Sequence, residues 1–363
     1  MLYGPADAVD LARVRRALVV KLRHHGDVLL ASPVIAVLKR HAPHAEVDAL
    51  VYSDTADMLS LHPALSRLHV VERAWKSLSP FARMRAEIGL FSALRARRYD
   101  LLVHLTEHPR GAWLARALGC RHAVAPAAPG KRASWKRSFT HLYPLPSRGG
   151  RHAVELNLDA LRRIGVQPGE DERRLVLVPG AQAEALTAEL LSERQAPERG
   201  YIHLHPASRW QFKCWLPERT AELIDALHAR GESVVLTAAP EERELALVAA
   251  IRSRCARPPL DLSGKLTLKM LAATSARAKL FVGVDSAPMH IAAAMGTPVV
   301  VLFGPSGEAE WSPWRVPHRV VVSPQYTCRP CGNDGCGGGK VSECLTSIPV
   351  GAVLEAVDAL LAR

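Results

Sequence analysis

Asp27 follows Gly26 just beyond the apolar run Ala17-Leu-Val-Val-Lys-Leu22. Open α/β sheets place reactive groups beyond the carboxyl ends of their strands, where helix N-termini also favour negative charge. A carboxylate at that position is either a plain N-cap or a general base for an attacking hydroxyl, and one such base suffices for a single inverting displacement. A second group, His205-Pro-Ala-Ser-Arg-Trp-Gln-Phe-Lys-Cys-Trp215, leaves another strand end. Ser208 offers a hydroxyl and Lys213 a point charge to a phosphate that departs with growing negative charge. Two Trp and one Phe interleave with these charges, which a merely solvated loop does not need. Glu241 and Glu242 follow a third strand end, where a carboxylate accepts from ribose hydroxyls or simply enriches a helix's first turn. Leu266 suits either an apolar adenine slot or the core. His24 and His25 are anion ligands or plain loop residues, and Lys21 serves the strand end or an acceptor.

The element that must position the phosphate chemistry is Phe281-Val-Gly-Val-Asp-Ser-Ala-Pro-Met-His-Ile-Ala-Ala-Ala-Met-Gly-Thr-Pro-Val-Val-Val-Leu-Phe-Gly-Pro305. Leu280 to Val284 has the continuous apolar character of a buried parallel strand. Asp285 or Ser286 can cap the helix that follows, with Pro288 in its first turn; Gly296 ends it and Pro298 bars its continuation. The Ser286 and Ala287 amides then point into the crevice where α/β proteins bind anions, above all a nucleotide diphosphate.

Along the chain, strands at 17–22, 46–52, 69–71 and 99–105 alternate with helices at 28–40, 55–60, 80–98 and 153–164, with a long Pro/Gly/basic loop at 125–150. The alternation restarts with strands at 201–205, 233–237, 260–262, 280–284 and 299–303, and helices at 217–229, 241–253 and 268–278. Alternation of this kind predicts parallel, doubly wound sheets. The expected organisation is a weakly ordered leader (1–16), an acceptor-side Rossmann-like domain (17–175), a linker (176–200), a nucleotide-side Rossmann-like domain (201–349) facing it across a central cleft, and a last helix (350–363) crossing back to the first domain.

The chain has 363 residues and a net charge of +12. Residues 1–174 hold 28 Lys/Arg against 16 Asp/Glu, so the whole excess lies in the N-terminal half. Lys131, Arg132 and Lys136 belong to its basic runs. Either these form a solvated face or the first domain meets a large anionic partner such as phospholipid headgroups or a phosphorylated glycan. No nucleic-acid module is visible, and aromatics make up only 5% of the chain, so nucleic acid is not the expected partner. No window reaches eighteen apolar residues and the first sixteen lack a signal-peptide core, which predicts a cytoplasmic protein. Cys328, Cys331, Cys336 and Cys344 have the ligand type for a structural zinc, with a loop of reduced thiols as the alternative. The first turns carry no G-x-G-x-x-G, which disfavours a simple dehydrogenase.

Three stretches together resemble one family, the ADP-heptose:lipopolysaccharide heptosyltransferases, inverting enzymes of the two-Rossmann-domain (GT-B) type. They are Val20-Lys-Leu-Arg-His-His-Gly-Asp-Val-Leu-Leu-Ala-Ser-Pro33, His205-Pro-Ala-Ser-Arg-Trp-Gln-Phe-Lys-Cys-Trp215 and Gly283-Val-Asp-Ser-Ala-Pro-Met-His-Ile-Ala-Ala-Ala-Met-Gly296. The first two look most like the family's third branch, which adds a side-branch heptose to the second inner-core heptose. The resemblance implies that Asp27 is the general base and that Lys213 and Ser208 bind the donor diphosphate. It further implies that Asp285 holds heptose hydroxyls, that the Ser286 and Ala287 amides face the phosphates, that Glu241 or Glu242 binds ribose and that Leu266 touches adenine.

The implied donor is ADP-heptose, with no cofactor or catalytic metal. The implied acceptor is a phosphorylated lipid A–core glycolipid met by the basic first domain, through residues such as Lys21, His24, His25, Lys131, Arg132 and Lys136. Peripheral contact with the inner membrane follows from the same charge. Competing readings are a transferase with another nucleotide sugar or core position, a nucleotide-sugar epimerase, which would lack the Gly-Asp turn and the basic domain, and a non-catalytic binder of anionic glycolipid.

Overall fold

The structure, a computed structural model, describes residues 5–146 and 150–362; positions 147–149 of the expected 125–150 loop lie outside them. The chain divides into two compact units, Met1–Leu177 and Val178–Arg363.

In the first unit the described strands are β1 (Arg16–Val20), β2 (Glu46–Tyr52), β3 (Arg67–Val71), β4 (Leu101–His104), β5 (His122–Pro126) and β6 (His141–Tyr143). All pair in parallel in the order β3-β2-β1-β4-β5-β6. This is the doubly wound order, and its direction reverses between β1 and β4, where Val20 sits opposite His104. Strands β1 and β2 are buried almost throughout, as befits a parallel sheet whose two faces are covered by helices.

In the second unit the described strands are β7 (Ile202–His205), β8 (Val234–Leu236), β9 (Leu260–Asp261), β10 (Leu280–Val284), β11 (Val299–Leu302) and β12 (His318–Val321). Their order β12-β11-β10-β7-β8-β9 repeats the first topology, with the reversal between β7 and β10. Gly283 is required at that junction. A Cβ there would lie 2.7 Å from the His205 carbonyl oxygen and 2.8 Å from the Phe281 ring.

Several expectations are corrected. Residues 5–16 of the leader are packed: Val9 and Val14 are buried, the Val9 amide donates to the Ile164 carbonyl, and Arg163 holds Asp7 at 2.7 Å. The helix expected over 28–40 is two, His25–Leu29 and Ser32–His41. The long basic loop contains β6 and the short helix Ala133–Lys136. The linker contains the helix Ala181–Glu193, which packs on the helix Leu268–Arg277 and buries Leu191 beside Tyr201. The last helix, Val350–Leu361, packs into the second unit's own core, with Val353 and Val357 among Leu223, Leu227 and Val300.

Candidate active site

Each unit gathers polar groups at the carboxyl end of its reversal point. In the first, Asp27 is the third residue of His25–Leu29, directly after β1; its side chain is 18% exposed and lies 3.9 Å from Arg23 Nε. The turn that carries it is tied down from outside. His25 Nε2 donates to the Asp54 carbonyl at 2.8 Å, Arg73 Nε reaches both Asp54 carboxylate oxygens, and Arg73 Nη2 donates to the Arg23 carbonyl at 3.1 Å. The Arg73 guanidinium also stacks over Tyr52. Asp27 is thereby presented on a fixed turn, partly open to solvent. His24 is exposed beside it.

Lys21 is not available to an acceptor. It is buried, and its ammonium donates to Asn157 Oδ1 at 2.9 Å and to the Leu105 carbonyl at 3.3 Å. A buried ammonium must be met by acceptors in this way, so the lysine serves the strand end. Arg132 and Lys136 are exposed around the helix Ala133–Lys136, and Lys131 lies 5.9 Å over the Trp135 ring. His104, which sequence reasoning passed over, ends β4 with its ring buried. Its Nε2 is 3.1 Å from the His108 carbonyl, and burial holds its pKa down at about 3. Gly111 makes room for it, since a Cβ at Gly111 would fall 2.1 Å from His104 Nε2. A polar residue ending an apolar strand was the available signal.

In the second unit Lys213 Nζ donates to Asp285 Oδ2 at 2.6 Å, joining the loop after β7 to the turn after β10. Asp285 is nearly buried. Ser286 occupies the N-cap position of Ala287–Ala294, but its hydroxyl turns back to the Val284 carbonyl at 3.3 Å and caps nothing. Neither Asp285 nor Ser286 is therefore the side-chain cap expected from sequence. The first-turn amides are left to the helix dipole and to an incoming anion. Ser208 is buried, and its Oγ accepts from the Trp210 amide at 3.3 Å.

Below these groups, His203 Nε2 and His205 Nδ1 both meet Thr237 Oγ1, at 2.7 and 2.8 Å. A hydroxyl has one proton, so it donates to at most one of the two rings and accepts from the other or from both. Glu241 and Glu242 are exposed at the start of Glu242–Arg252. The carboxylate that faces inward there is Glu244, which accepts from the Ala239 amide at 3.0 Å and whose pKa burial pushes up.

A cavity of about 470 Å³ is lined by Ser208, Glu241 and Glu242 together with Arg209, Lys340 and Ser342. It brings together part of the expected donor set; Lys213, Asp285, Ser286 and Ala287 lie outside its lining. Leu266 is half-buried against Leu191, Tyr201, Val235 and Leu262, which makes it part of the core's edge. The four clustered cysteines are free thiols, three exposed and Cys344 buried. Among the described residues no group of three or more His, Cys, Asp or Glu is placed to hold a metal ion.

Two doubly wound parallel sheets, each with its polar groups at the reversal point, define an α/β protein of the GT-B class. Residues 88–341 match glycosyltransferase family 9 (heptosyltransferase). A lipopolysaccharide heptosyltransferase 3 of Escherichia coli is 36% identical over 342 residues, which is 94% of this chain and 97% of that protein. The chain belongs to this family and is a glycosyltransferase. The crystal structure of a family 9 glycosyl transferase from Veillonella parvula DSM 2008 superposes with a TM-score of 0.82 at 22% identity, covering 98% of this chain and 99% of that one. The E. coli heptosyltransferase WaaC with ADP-2-deoxy-2-fluoro heptose superposes at 0.71 and 21% identity, covering 95% and 99%. At these identities both structures speak to the fold.

Proposed function

We propose that the protein transfers a heptose from ADP-heptose to an inner-core heptose of lipopolysaccharide, with inversion at the anomeric carbon and without a metal ion. The observation that supports this reading best is that Asp27 and the Lys213–Asp285 pair each stand at the carboxyl end of a strand flanking its sheet's reversal point. Family membership and the 36% identity to a lipopolysaccharide heptosyltransferase 3 support the choice of sugar and acceptor.

Asp27 takes the proton of the acceptor hydroxyl as its oxygen forms the new bond to the anomeric carbon. The bond from that carbon to the diphosphate oxygen breaks on the opposite side, and ADP leaves with the electron pair. Lys213 and the first-turn amides of Ala287–Ala294 stabilise the charge that develops on it. Asp285 holds heptose hydroxyls and keeps the Lys213 ammonium aimed at the diphosphate. Ser208 adds a phosphate hydrogen bond, and Glu241 or Glu242 receives the ribose. The basic first unit carries the phosphorylated acceptor, with Lys131, Arg132 and Lys136 as its contacts. The enzyme works on the cytoplasmic face of the inner membrane; among the described residues no helix is long and apolar enough to cross a bilayer.

The test is transfer by purified protein from ADP-heptose to a de-acylated core carrying two heptoses, read as a mass gain of one heptose. Gain on a core with one heptose or none, and not on this acceptor, moves the enzyme to another branch. No gain on any core removes the donor assignment.

A further inference from the structure

The helix Pro80–Ala96 buries only Leu94 of its seventeen residues. Leu94 and the half-buried Leu90 turn inward to the core around Leu50, Tyr99 and Leu102. On its outer side Phe81, Met84 and Ile88 are 72%, 53% and 56% exposed. Their spacing of i, i+3 and i+7 places them in one stripe. Phe91 continues that stripe and packs on Trp113, itself 48% exposed, with ring centroids 5.0 Å apart. The helix is thus apolar on two opposite sides, one covered by the protein and one bare. A contiguous bare apolar stripe marks an interaction surface, unlike scattered single residues.

Its surroundings identify the partner. Residues 73–98 carry seven Lys/Arg against the single acid Glu87, which Arg110 engages. Arg85 and Arg95 flank the stripe, and neither they nor Lys76, Arg83 and Arg98 make an ion pair among the described residues. A second protein would offer carboxylates at chosen points. A broad unpaired basic rim around large apolar side chains instead suits a continuous anionic surface with an apolar interior, the pattern of an interfacial helix. We propose that Pro80–Ala96 lies in the plane of an anionic phospholipid membrane, with Phe81, Met84 and Ile88 inserted among the acyl chains and Arg85 and Arg95 at the phosphates. This rests on the reading of the acceptor as a glycolipid held in a membrane.

The experiment is co-sedimentation of the full chain with vesicles of phosphatidylethanolamine and phosphatidylglycerol, and with phosphatidylcholine alone. The expected result is binding to the anionic vesicles that salt weakens, with little to the neutral ones. Binding should fall about tenfold or more in the triple variant Phe81→Ser/Met84→Ser/Ile88→Ser and in Arg85→Glu/Arg95→Glu. These side chains are exposed, so the thermal melt should match the parent. Transfer to a de-acylated core should be unchanged in both variants while transfer to vesicle-embedded acceptor drops. That soluble assay tests the enzymatic reading separately, because it needs no membrane. Binding by the triple variant equal to the parent's overturns the proposal, as does a parent that ignores anionic vesicles. A parent dimer in light scattering that the triple variant dissociates also overturns it, by assigning the stripe to a second copy.

Discussion

Lys213 Nζ and Asp285 Oδ2 stand 2.6 Å apart, and this contact ties the loop after β7 to the turn after β10 at the point where the second sheet reverses. Seventy-two positions separate the two in sequence, and the parallel pairing of Gly283 with His205 brings their strand ends side by side. The pair holds a positive charge in place before any diphosphate arrives, which is the preorganisation that leaving-group stabilisation requires.

Removing that charge should be costly to chemistry. Lys213→Ala is expected to lower kcat/KM by about 10²–10³-fold, since it deletes one preorganised partner of the leaving group. Lys213→Arg should recover part of the loss. Isothermal titration with ADP should show weaker binding in the Ala variant. Unchanged ADP affinity and turnover would leave the pair a purely structural contact.

Asp27 should separate chemistry from binding. Asp27→Asn keeps the shape of the side chain and removes the base, so kcat is expected to drop by about 10²–10⁴-fold with ADP affinity unchanged. Its hydrogen-bonded turn, held by His25, Asp54 and Arg73, should fold as before. A variant with lowered melting temperature and lost ADP binding would contradict the assignment.

Acid should unfold the protein earlier than its carboxylates alone require. Burial holds the pKa of His62 at about 4 and of His104, His203 and His205 at about 3, all below the ordinary histidine value. The unfolded chain binds these protons near pH 6.5 and the folded one does not, so stability is full above about 6.5 and declines as pH falls through the folded values. Each group contributes up to about 1.4 kcal/mol per pH unit inside its window. Urea midpoints should fall measurably between pH 7 and pH 5. A flat profile over that range would show that these rings accept protons without opening the fold.

Asp48 adds a second acid-sensitive element. Burial pushes its carboxyl up, but hydrogen bonds from His69, Arg97 and Tyr99 overcome this and hold it at about 2. Its contribution is therefore present above about pH 4 and lost on the way down to about 2. Asp48→Ala, which removes the buried acceptor shared by Arg97 and Tyr99 and leaves Arg97 paired with Glu46 alone, is expected to cost about 1–3 kcal/mol in denaturant melts. A cost near zero would place the network in solvent.

Much of the architecture was readable because its signals are local. A continuous apolar run such as Leu280–Val284 suits a strand covered on both faces, and it is β10 to the residue. Asp27, Lys213 and Asp285 were found by asking which reactive residues follow such runs. The helix Ala181–Glu193 was missed: it begins at Gly180, with no side-chain cap to announce it, and owes its place to packing on Leu268–Arg277.

The sequence by itself determined the strand–helix alternation, the two-unit plan, the concentration of positive charge in the first half and the residues that follow each strand. Only tertiary structure decided which of them face solvent. Lys21 became a buried donor to Asn157, Leu266 joined the core's edge, and the cysteines remained free thiols. Phe81, Met84 and Ile88 remained bare although their helix carries a second apolar side that is covered. Periodicity reports that a helix has an apolar stripe; which stripe is covered depends on neighbours distant in sequence.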